Sequence, residues 1–270
     1  MPNRIQKVLT GGRRALIVGV FLALTAPVAE AQLVVYDDFA APRIDETRWL
    51  GRQLVTRSGG TGSLLEIQRE VTNAESLVLQ TRVVGGTGSG TGLFTVDNAL
   101  AFRHPNALSE ITFDVTVRGL DVTGCAMESG TEASARGVFP LFNDGIGDII
   151  AIIGVTRSSV SSARAAELDA VASLVHRTPD GDIVLGVVSL GSVTQGQNVK
   201  LRTRWDAARN RVRFGRDAEA MTGIEYTNPV VSSPGKARKY LAATSTVSDC
   251  AEGGSAAAVV AAFDNVRVNP

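Results

Sequence analysis

The stretch VKLRTRWDAARNRVRFGRD, residues 199–217, decides the fold class of this chain. In its first half apolar side chains such as Leu201 and Trp205 alternate with basic ones, and Val212 and Phe214 repeat the pattern in its second half. A period of two places alternate side chains on opposite faces of a β-strand. The short polar segment between the halves is typical of a turn. The stretch therefore predicts an antiparallel hairpin with an apolar inner face and a basic outer face.

The rest of the chain continues this β pattern. Period-two segments recur at short spacing, for example EITFDVTVR at 110–118, and turn signals such as Pro179-Asp180-Gly181 separate them. About a dozen strands are predicted, with at most one short helix, in the ambiguous segment 163–172, besides the signal peptide. The sequence therefore predicts an all-β fold, a two-sheet antiparallel β-sandwich of the jelly-roll type.

The first thirty-one residues are predicted to be a signal peptide. The apolar run 15–24 is shorter than the roughly 20 residues that a membrane-spanning helix needs. Small residues at the end of the segment favour cleavage between Ala31 and Gln32. We therefore expect a secreted or periplasmic protein, the alternative being an uncleaved anchor. The basic residues that precede the apolar run complete the pattern: Arg4, Lys7, Arg13 and Arg14.

Residues 32–270 are predicted to form a single jelly-roll domain. The chain has 27 basic and 27 acidic residues, of which the signal peptide removes four and one, leaving 23 against 26. A net charge of −3 argues against nucleic acid as a partner. No second apolar run is long enough to span a membrane.

The only two cysteines, Cys125 and Cys250, are predicted to form a disulfide. In an oxidising compartment a cysteine pair is usually bridged. Metal binding is the alternative, but neither cysteine has a histidine or a second cysteine nearby in the sequence. On the chain-entropy model, closing so long a loop stabilises the fold by about 4–5 kcal/mol.

Three segments carry a resemblance to a known family. YDDF at 36–39, IDETRW at 44–49 and FDNVRV at 263–268 frame the central hairpin. In this arrangement the chain resembles the concanavalin A-like lectin/glucanase jelly roll, which includes laminin-G-like modules, as a secreted, non-catalytic member. The resemblance implies that the first and last strands lie in one sheet, with Asp38 near Asp264.

The sequence contains no recognisable catalytic constellation. The glucanase branch of the family carries Glu-x-Asp-x-x-Glu or a shorter form, and the nearest approach here, Glu66-Ile67-Gln68-Arg69-Glu70, has glutamine at the middle position. On one strand Glu66 and Glu70 would lie about 13 Å apart, too far for a retaining glycosidase. His104 and His176 have no Gly-x-Ser-x-Gly serine to activate. We therefore predict that the protein is not an enzyme.

A structural calcium ion is a further prediction, which follows from the resemblance. Members of the family often hold one between the terminal strands, and Asp38, Asp264 and Asn265 supply the oxygen atoms that calcium prefers. The alternative is that the two aspartates cap turns or pair with Arg267. No other cofactor is predicted.

The basic face of the hairpin is the most distinctive predicted surface. One interpretation is that acidic residues on neighbouring strands, Glu110 and Asp114, compensate its charge. The other is that the face binds an anionic ligand such as an acidic polysaccharide, because arginine binds carboxylates in pairs. The candidate ligand-binding residues are Lys200, Arg202, Arg204, Arg211 and Arg213.

These observations predict an exported, non-catalytic binding or structural module, with a glycan or polysaccharide on a sheet face as the expected partner. Aromatic residues make up only 5% of the chain, and Trp205 is expected to face the core, so few rings are left to stack on sugars. Two alternatives stay open: a diverged glycoside hydrolase or polysaccharide lyase of the same fold, and a subunit of an extracellular or envelope assembly.

Overall fold

The predicted hairpin is present and lies within one of two antiparallel sheets. In the computed structural model its strands cover Asn198–Asp206 and Arg211–Arg216. The side chains of Leu201 and Phe214 are fully buried, whereas the basic side chains of the opposite face are exposed or partly exposed. Asn210 completes the turn in the left-handed region, at φ 47°, where asparagine is better tolerated than most residues.

The structure describes residues 32–51, 53–72, 76–88, 92–125, 130–142, 147–159, 167–227, 238–251 and 254–270. The predicted signal peptide, and with it the predicted cleavage site up to Ala31, lies outside these residues, as does 163–166 of the ambiguous segment. The remainder of that segment, from Glu167, is strand and not helix. Within the described part of the chain, no helix has the length and hydropathy of a membrane span.

Fifteen strands follow one another along the described residues, with two single 3-10 turns, Pro105–Ala107 and Ala207–Arg209. The strands are β1 Val34–Asp37, β2 Leu54–Gly59, β3 Ser63–Thr72, β4 Ser76–Val84, β5 Leu93–Ala101, β6 Glu110–Thr123, β7 Glu132–Pro140, β8 Ile149–Ser158, β9 Glu167–Thr178, β10 Gly181–Thr194, β11 Asn198–Asp206, β12 Arg211–Arg216, β13 Thr222–Glu225, β14 Tyr240–Ser248 and β15 Ala256–Val268.

The strands form two sheets, called here the back sheet and the front sheet. The back sheet has the order β13-β12-β11-β6-β15-β4-β3, and β1 also pairs with β15. The front sheet has the order β10-β9-β8-β7-β14-β5-β2. Every strand pair is antiparallel. The predicted all-β, two-sheet antiparallel sandwich is confirmed.

The core lies between the sheets, where the inward half of each alternating pattern is buried. Phe113 on β6 and Phe263 on β15 pack together with ring centroids 5.9 Å apart. Leu174 on β9 and Leu241 on β14 face them from the front sheet and are fully buried. Burial of apolar surface stabilises a fold by roughly 25 cal/mol per Å². This alternation is therefore the main source of stability.

The two tryptophans differ in a way that the sequence pattern did not show. Trp49 is fully buried, and its Nε1 donates a hydrogen bond of 2.6 Å to Asp37 Oδ2. Trp205 was expected to be a core residue, but it is only partly buried, at the end of β11. Its Nε1 donates to the Tyr226 hydroxyl at 2.7 Å. Trp49 is therefore the principal aromatic anchor, and Trp205 closes the edge of the core.

The first and last strands pair, as the family resemblance implies. Val34 of β1 lies opposite Val268 of β15, and Asp37 lies opposite Val266. The carboxylate of Asp37 accepts the backbone N–H of Phe39 at 2.8 Å as well as the tryptophan bond. The buried charge of this aspartate is therefore hydrogen-bonded on both oxygens, as a buried carboxylate must be.

The predicted disulfide is also present. Cys125 and Cys250 are bridged, with 5.7 Å between their Cα atoms and a sequence separation of 125. The bridge joins the segment after β6 in the back sheet to the segment after β14 in the front sheet. It therefore links the two layers at one end of the sandwich.

Candidate functional site

The outer face of the front sheet forms a groove. One row of residues across this face runs from Ala99 on β5 through Ala242 on β14 and Arg136 on β7 to Gly154 on β8. Three of these four residues have no side chain beyond Cβ, so the floor of the groove is low here. Two adjoining cavities of about 340 Å³ each lie over it and share Arg136 and Ile152.

Polar residues from seven strands and from the segment before β14 line the two cavities. Those of the first cavity are Thr56, Asp97, Arg136, Arg177, Asp182, Arg238 and Tyr240. Those of the second are Glu132, Ser134, Arg136, Thr156 and Ser173. The groove therefore offers both donors and acceptors along its length.

Asp97 is the centre of a hydrogen-bond network on the groove floor. Its Oδ1 accepts from Arg136 Nη2 at 2.9 Å and from Thr244 Oγ1 at 2.7 Å, and its Oδ2 accepts from Thr56 Oγ1 at 3.1 Å. The register explains the contacts, because Thr244 and Thr56 lie directly opposite Asp97 on the two flanking strands. The side chains of Asp97 and Arg136 are 19% and 22% exposed, so their ion pair is largely shielded from solvent.

Two atoms on the floor are buried without a hydrogen-bond partner in the described structure: Ser134 Oγ and Arg136 Nε. Ser134 is only 3% exposed, and it lines the second cavity. An unpartnered buried polar atom costs about 1–3 kcal/mol, and native proteins pair nearly all of them. Ser134 and Arg136 lie two positions apart on the same face of β7, so the groove floor holds bonding capacity that the described side chains do not use.

The far end of the first cavity is basic. Arg177 on β9 and Asp182 on β10 form an exposed ion pair at 3.3 Å. Arg238, in the segment before β14, also lines this cavity and has no ion-pair partner among the described residues. With Asp97 and Arg136, the cavity is lined by three arginines and two aspartates, a net charge of +1.

Asp97 and Glu132 of the groove do not form a close pair by backbone position. β14 separates Asp97 on β5 from Glu132 on β7, and Glu132 lies one row further along the face. From strand spacing their Cα atoms are about 12 Å apart. Glu132 is exposed, whereas Asp97 is held by Arg136. Neither His104 nor His176 lines either cavity.

The predicted basic residues lie together on the outer face of the back sheet, away from the groove. Glu110 on β6 accepts from Arg202 Nε, and its other oxygen is 3.6 Å from Arg204 Nε. Lys200 lies opposite Asp114 and is 3.9 Å from its Oδ1. The acidic compensation considered from the sequence is therefore present. The basic stripe comprises Lys200, Arg202, Arg204, Arg211 and Arg213.

Of the three predicted calcium ligands, Asp264 and Asn265 lie beside Asp114, whereas Asp38 is exposed. Asp264 lies opposite Asp114, and the Asn265 amide nitrogen donates to Asp114 Oδ2 at 3.0 Å and to Asp264 Oδ2 at 3.2 Å. Asp38 is exposed, and its Oδ1 accepts the N–H of Ala40 at 3.3 Å. The part of the chain that the structure describes contains no group of three or more histidine, cysteine or acidic side chains that could hold a metal ion.

The sequence analysis did not find the groove. Its polar residues stand on ordinary period-two strands, and Glu132, Ser134 and Arg136 alternate with small residues in EASARGV. This alternation was a usable signal for an unusually polar strand face. Its partner Asp97 could not have been found in this way. β14 lies between β5 and β7 in the sheet and brings them close, but it comes about a hundred residues after β7 in the sequence.

The comparisons with known proteins found only distant similarity to solved structures. No family model and no curated protein matches the chain. Among solved structures it is similar to LamAcat from Zobellia galactanivorans (12% identity, TM-score 0.43, covering 87% of this chain and 96% of that one). It is also similar to the beta-porphyranase BpGH16B from the gut bacterium Bacteroides plebeius (13% identity, TM-score 0.41, covering 90% of this chain and 94% of that one). A third similar structure is the Ca2+-bound exoplasmic/lumenal domain of VIP36 (11% identity, TM-score 0.32, covering 85% of this chain and 88% of that one).

The sandwich and the paired terminal strands agree with the concanavalin A-like jelly roll that the sequence resembles. All three TM-scores are below 0.5, and all identities are below 25%. The functional assignment below therefore depends on the groove of this chain alone.

Proposed function

We propose that this protein is an exported, non-catalytic carbohydrate-binding module whose ligand lies in the groove of the front sheet. The observation that carries the proposal is the pair of buried, unpartnered atoms on the groove floor, Ser134 Oγ and Arg136 Nε. A sugar hydroxyl both donates and accepts, so it can bond with the serine oxygen, the guanidinium and the nearby Asp97 carboxylate. The low floor leaves room for a sugar ring over this part of the groove.

The charge of the first cavity favours a glycan with acidic substituents. Arg238 has no ion-pair partner among the described residues, and Arg136 lines the same cavity. A carboxylate or sulfate group would bond with both guanidinium groups, since arginine binds such anions through paired hydrogen bonds.

The proposal is non-catalytic because Asp97 and Glu132, on the central strands of the groove, are poorly placed for glycosidase chemistry, and Asp182 is paired with Arg177. A retaining glycosidase needs two carboxyls about 5–5.5 Å apart, and an inverting one about 6.5–9.5 Å. Asp97 accepts three hydrogen bonds, and its Cα atom lies about 12 Å from that of Glu132. The competing function is a diverged hydrolase or lyase, and release of reducing ends or unsaturated sugars from any bound glycan would establish it.

The test is a glycan array of neutral and acidic oligosaccharides, probed with the wild-type protein and two alanine or valine variants. Ser134→Ala removes an oxygen without a partner, so we expect an unchanged or higher melting temperature and at least a tenfold loss of affinity. Thr203→Val is the matched control, because its hydroxyl is equally buried and unpartnered but lies on β11 of the back sheet. Equal binding by both variants would refute the proposal.

The basic stripe gives a second control. Arg213→Ala removes a stripe residue that lies opposite Arg204, far from the groove. We expect this variant to keep its glycan affinity, whereas Arg238→Ala lowers binding of acidic sugars more than binding of neutral ones. The reverse result would place the ligand on the stripe, as the sequence analysis considered.

Export is also part of the proposal. It is supported by the sequence of residues 1–31 and by the disulfide, because structural disulfides persist in oxidising compartments. Amino-terminal sequencing of the protein recovered after expression of the full chain should begin at Gln32. A sequence that begins at Met1 would refute cleavage of the signal peptide.

A structural calcium ion fits the described residues only in part. Asp114 Oδ1 is buried without a hydrogen-bond partner beside Asp264, but the Asn265 amide group already donates to both side chains. If an ion binds here, Asp114 and Asp264 would hold it and Asp38 would be dispensable. The melting temperature is measured with calcium and with a chelator. A calcium-dependent rise that Asp264→Asn abolishes and Asp38→Asn retains supports the site. Identical melting curves with calcium and with chelator refute it.

A further inference from the structure

The second cavity of the groove has one aliphatic wall, formed by Ile152, Val171, Val184 and Val187 on β8, β9 and β10. Val187 is 66% exposed and Val184 is 60% exposed, which are the two largest values among the exposed large hydrophobic side chains of the described residues. Apolar surface gains free energy when it leaves water. The aliphatic wall therefore favours a ligand that carries an apolar group at this point.

An irregularity of β10 brings the two exposed valines to the same face of the sheet. Val184 lies opposite Val175 of β9, and Val187 lies opposite Ser173. The register shifts between Val184 and Gly186, so β10 holds one residue more than β9 between these two pairs. In a regular strand, residues three positions apart face opposite sides, whereas a bulge redirects one of them. The bulge therefore completes the aliphatic wall.

Polar groups limit the extent of the aliphatic wall. Ser173 lies between Ile152 and Val187 in one row of the front sheet. It is partly exposed, and its hydroxyl forms no hydrogen bond among the described residues. Ser134 and Thr156 lie two rows further along the same face. The wall therefore suits a small apolar group that has a hydrogen-bond acceptor beside it.

The charges of the two cavities differ. The charged residues that line the second cavity are Glu132 and Arg136, and Arg136 is paired with Asp97, whereas the first cavity has a net charge of +1. An acidic group is therefore favoured in the first cavity and an uncharged group in the second. Three strand spacings, about 14 Å, separate Arg136 on β7 from Val187 on β10. The two groups therefore belong to different sugars of one chain.

We propose that the second cavity binds an acetyl group on a sugar of an acidic glycan. This inference rests on the proposed function and adds to it the class of glycan. The methyl part of the acetyl group packs against Ile152 and Val187, and its carbonyl oxygen accepts a hydrogen bond from the Ser173 hydroxyl. The methyl group of a 6-deoxy sugar would also contact the aliphatic wall, but it would leave the serine donor without a partner.

The test is an array of oligosaccharides that each contain a uronic acid and a neutral hexose. The hexose is unmodified, O-acetylated or 6-deoxy, and the rest of each oligosaccharide is identical. We expect the wild-type protein to bind the acetylated form at least about fourfold more tightly than the unmodified form, the gain from burying one methyl group. It should also bind the acetylated form more tightly than the 6-deoxy form.

The double variant Val184→Thr, Val187→Thr replaces one methyl group of each valine by a hydroxyl group, so we expect it to lose the preference for the acetylated form. Ser173→Ala removes the donor and should reduce the same preference. Ile183→Thr is the matched control, because Ile183 is 53% exposed on the same strand and lines neither cavity. This control should keep the preference. Circular dichroism and the melting temperature check that each variant is folded.

Three results would overturn the inference while leaving the proposed function intact. They are equal binding of the acetylated and unmodified forms, binding of the 6-deoxy form as tight as that of the acetylated form, and a preference that the double variant retains. Arg238→Ala should weaken binding of the acetylated and unmodified forms by the same factor, because Arg238 lines only the first cavity. Absence of binding to every oligosaccharide would overturn the proposed function and this inference together, so the two failures are distinguishable.

Discussion

Asp97 and Arg136 form an ion pair across an intervening strand, with 2.9 Å between Asp97 Oδ1 and Arg136 Nη2. β14 runs between their two strands and contributes only Thr244 and Ala242 at this level, so the long arginine side chain reaches over a low floor. The pair fixes the guanidinium in the groove and leaves its Nε without a partner. The pair therefore contributes to stability and lies at the centre of the proposed binding groove.

Asp97→Asn should lower the free energy of unfolding by about 1–3 kcal/mol, because it leaves a mostly shielded guanidinium without its counter-charge. Asp182→Asn is the matched control. Its partner is Arg177, and the two side chains are 40–50% exposed, so loss of that pair should cost no more than about 1 kcal/mol. Urea denaturation of both variants measures the difference, and equal losses would contradict the shielding argument.

The contrast between these pairs shows how much the sequence could predict. Alternation fixed which face of each strand is buried, as the full burial of Leu201 and Phe214 shows. It also allowed the acidic partners of the basic stripe to be named, since Glu110 and Asp114 lie on a recognisable strand. Which strands become neighbours depends on contacts between segments distant in sequence. That information lies in no local pattern, and the groove depends on it.

The tryptophans illustrate a second limit. Alternation correctly placed Trp205 on an inner face, but an inner face is fully buried only where the opposite sheet covers it. We expect Trp49→Ala to cost about 3–5 kcal/mol, and Trp205→Ala to cost clearly less. Chemical denaturation monitored by circular dichroism gives both values without depending on the fluorescence of the residue removed. A larger loss for Trp205→Ala would show that the end of β11 is better covered than its partial exposure indicates.

Removal of the disulfide should destabilise the protein by about 4–5 kcal/mol, because the bridge closes a loop of more than a hundred residues in the unfolded chain. The double variant Cys125→Ala, Cys250→Ala tests this by urea denaturation against the oxidised wild-type protein. Both cysteines lie outside the groove, so glycan affinity should not change in buffer without denaturant. A loss below about 1 kcal/mol would mean that the unfolded chain is already compact between these positions.

Lys239 is an unusual charge to find inside the sandwich. It is 2% exposed, its Nζ donates to the Pro105 carbonyl oxygen at 2.7 Å, and it lies 4.3 Å from the centre of the Phe139 ring. Burial lowers the pKa of this lysine from 10.5 to about 8, although the nearby Asp148 carboxylate acts in the opposite direction. The folded protein therefore releases this proton at a lower pH than the unfolded chain does.

The free energy of unfolding should consequently rise as the pH is increased from about 8 toward 10.5, since the unfolded chain binds the proton over this range and the folded protein does not. The slope from one proton is at most about 1.4 kcal/mol per pH unit. Urea denaturation between about pH 7 and 9.5 measures this slope. The range avoids a second effect: burial raises the pKa of Tyr36 from 10.0 to about 12, so the ionisation of this tyrosine lowers stability only above about pH 10. Lys239→Met should lose the rise. If wild-type and Lys239→Met proteins show the same slope, the lysine is not held in a desolvating environment.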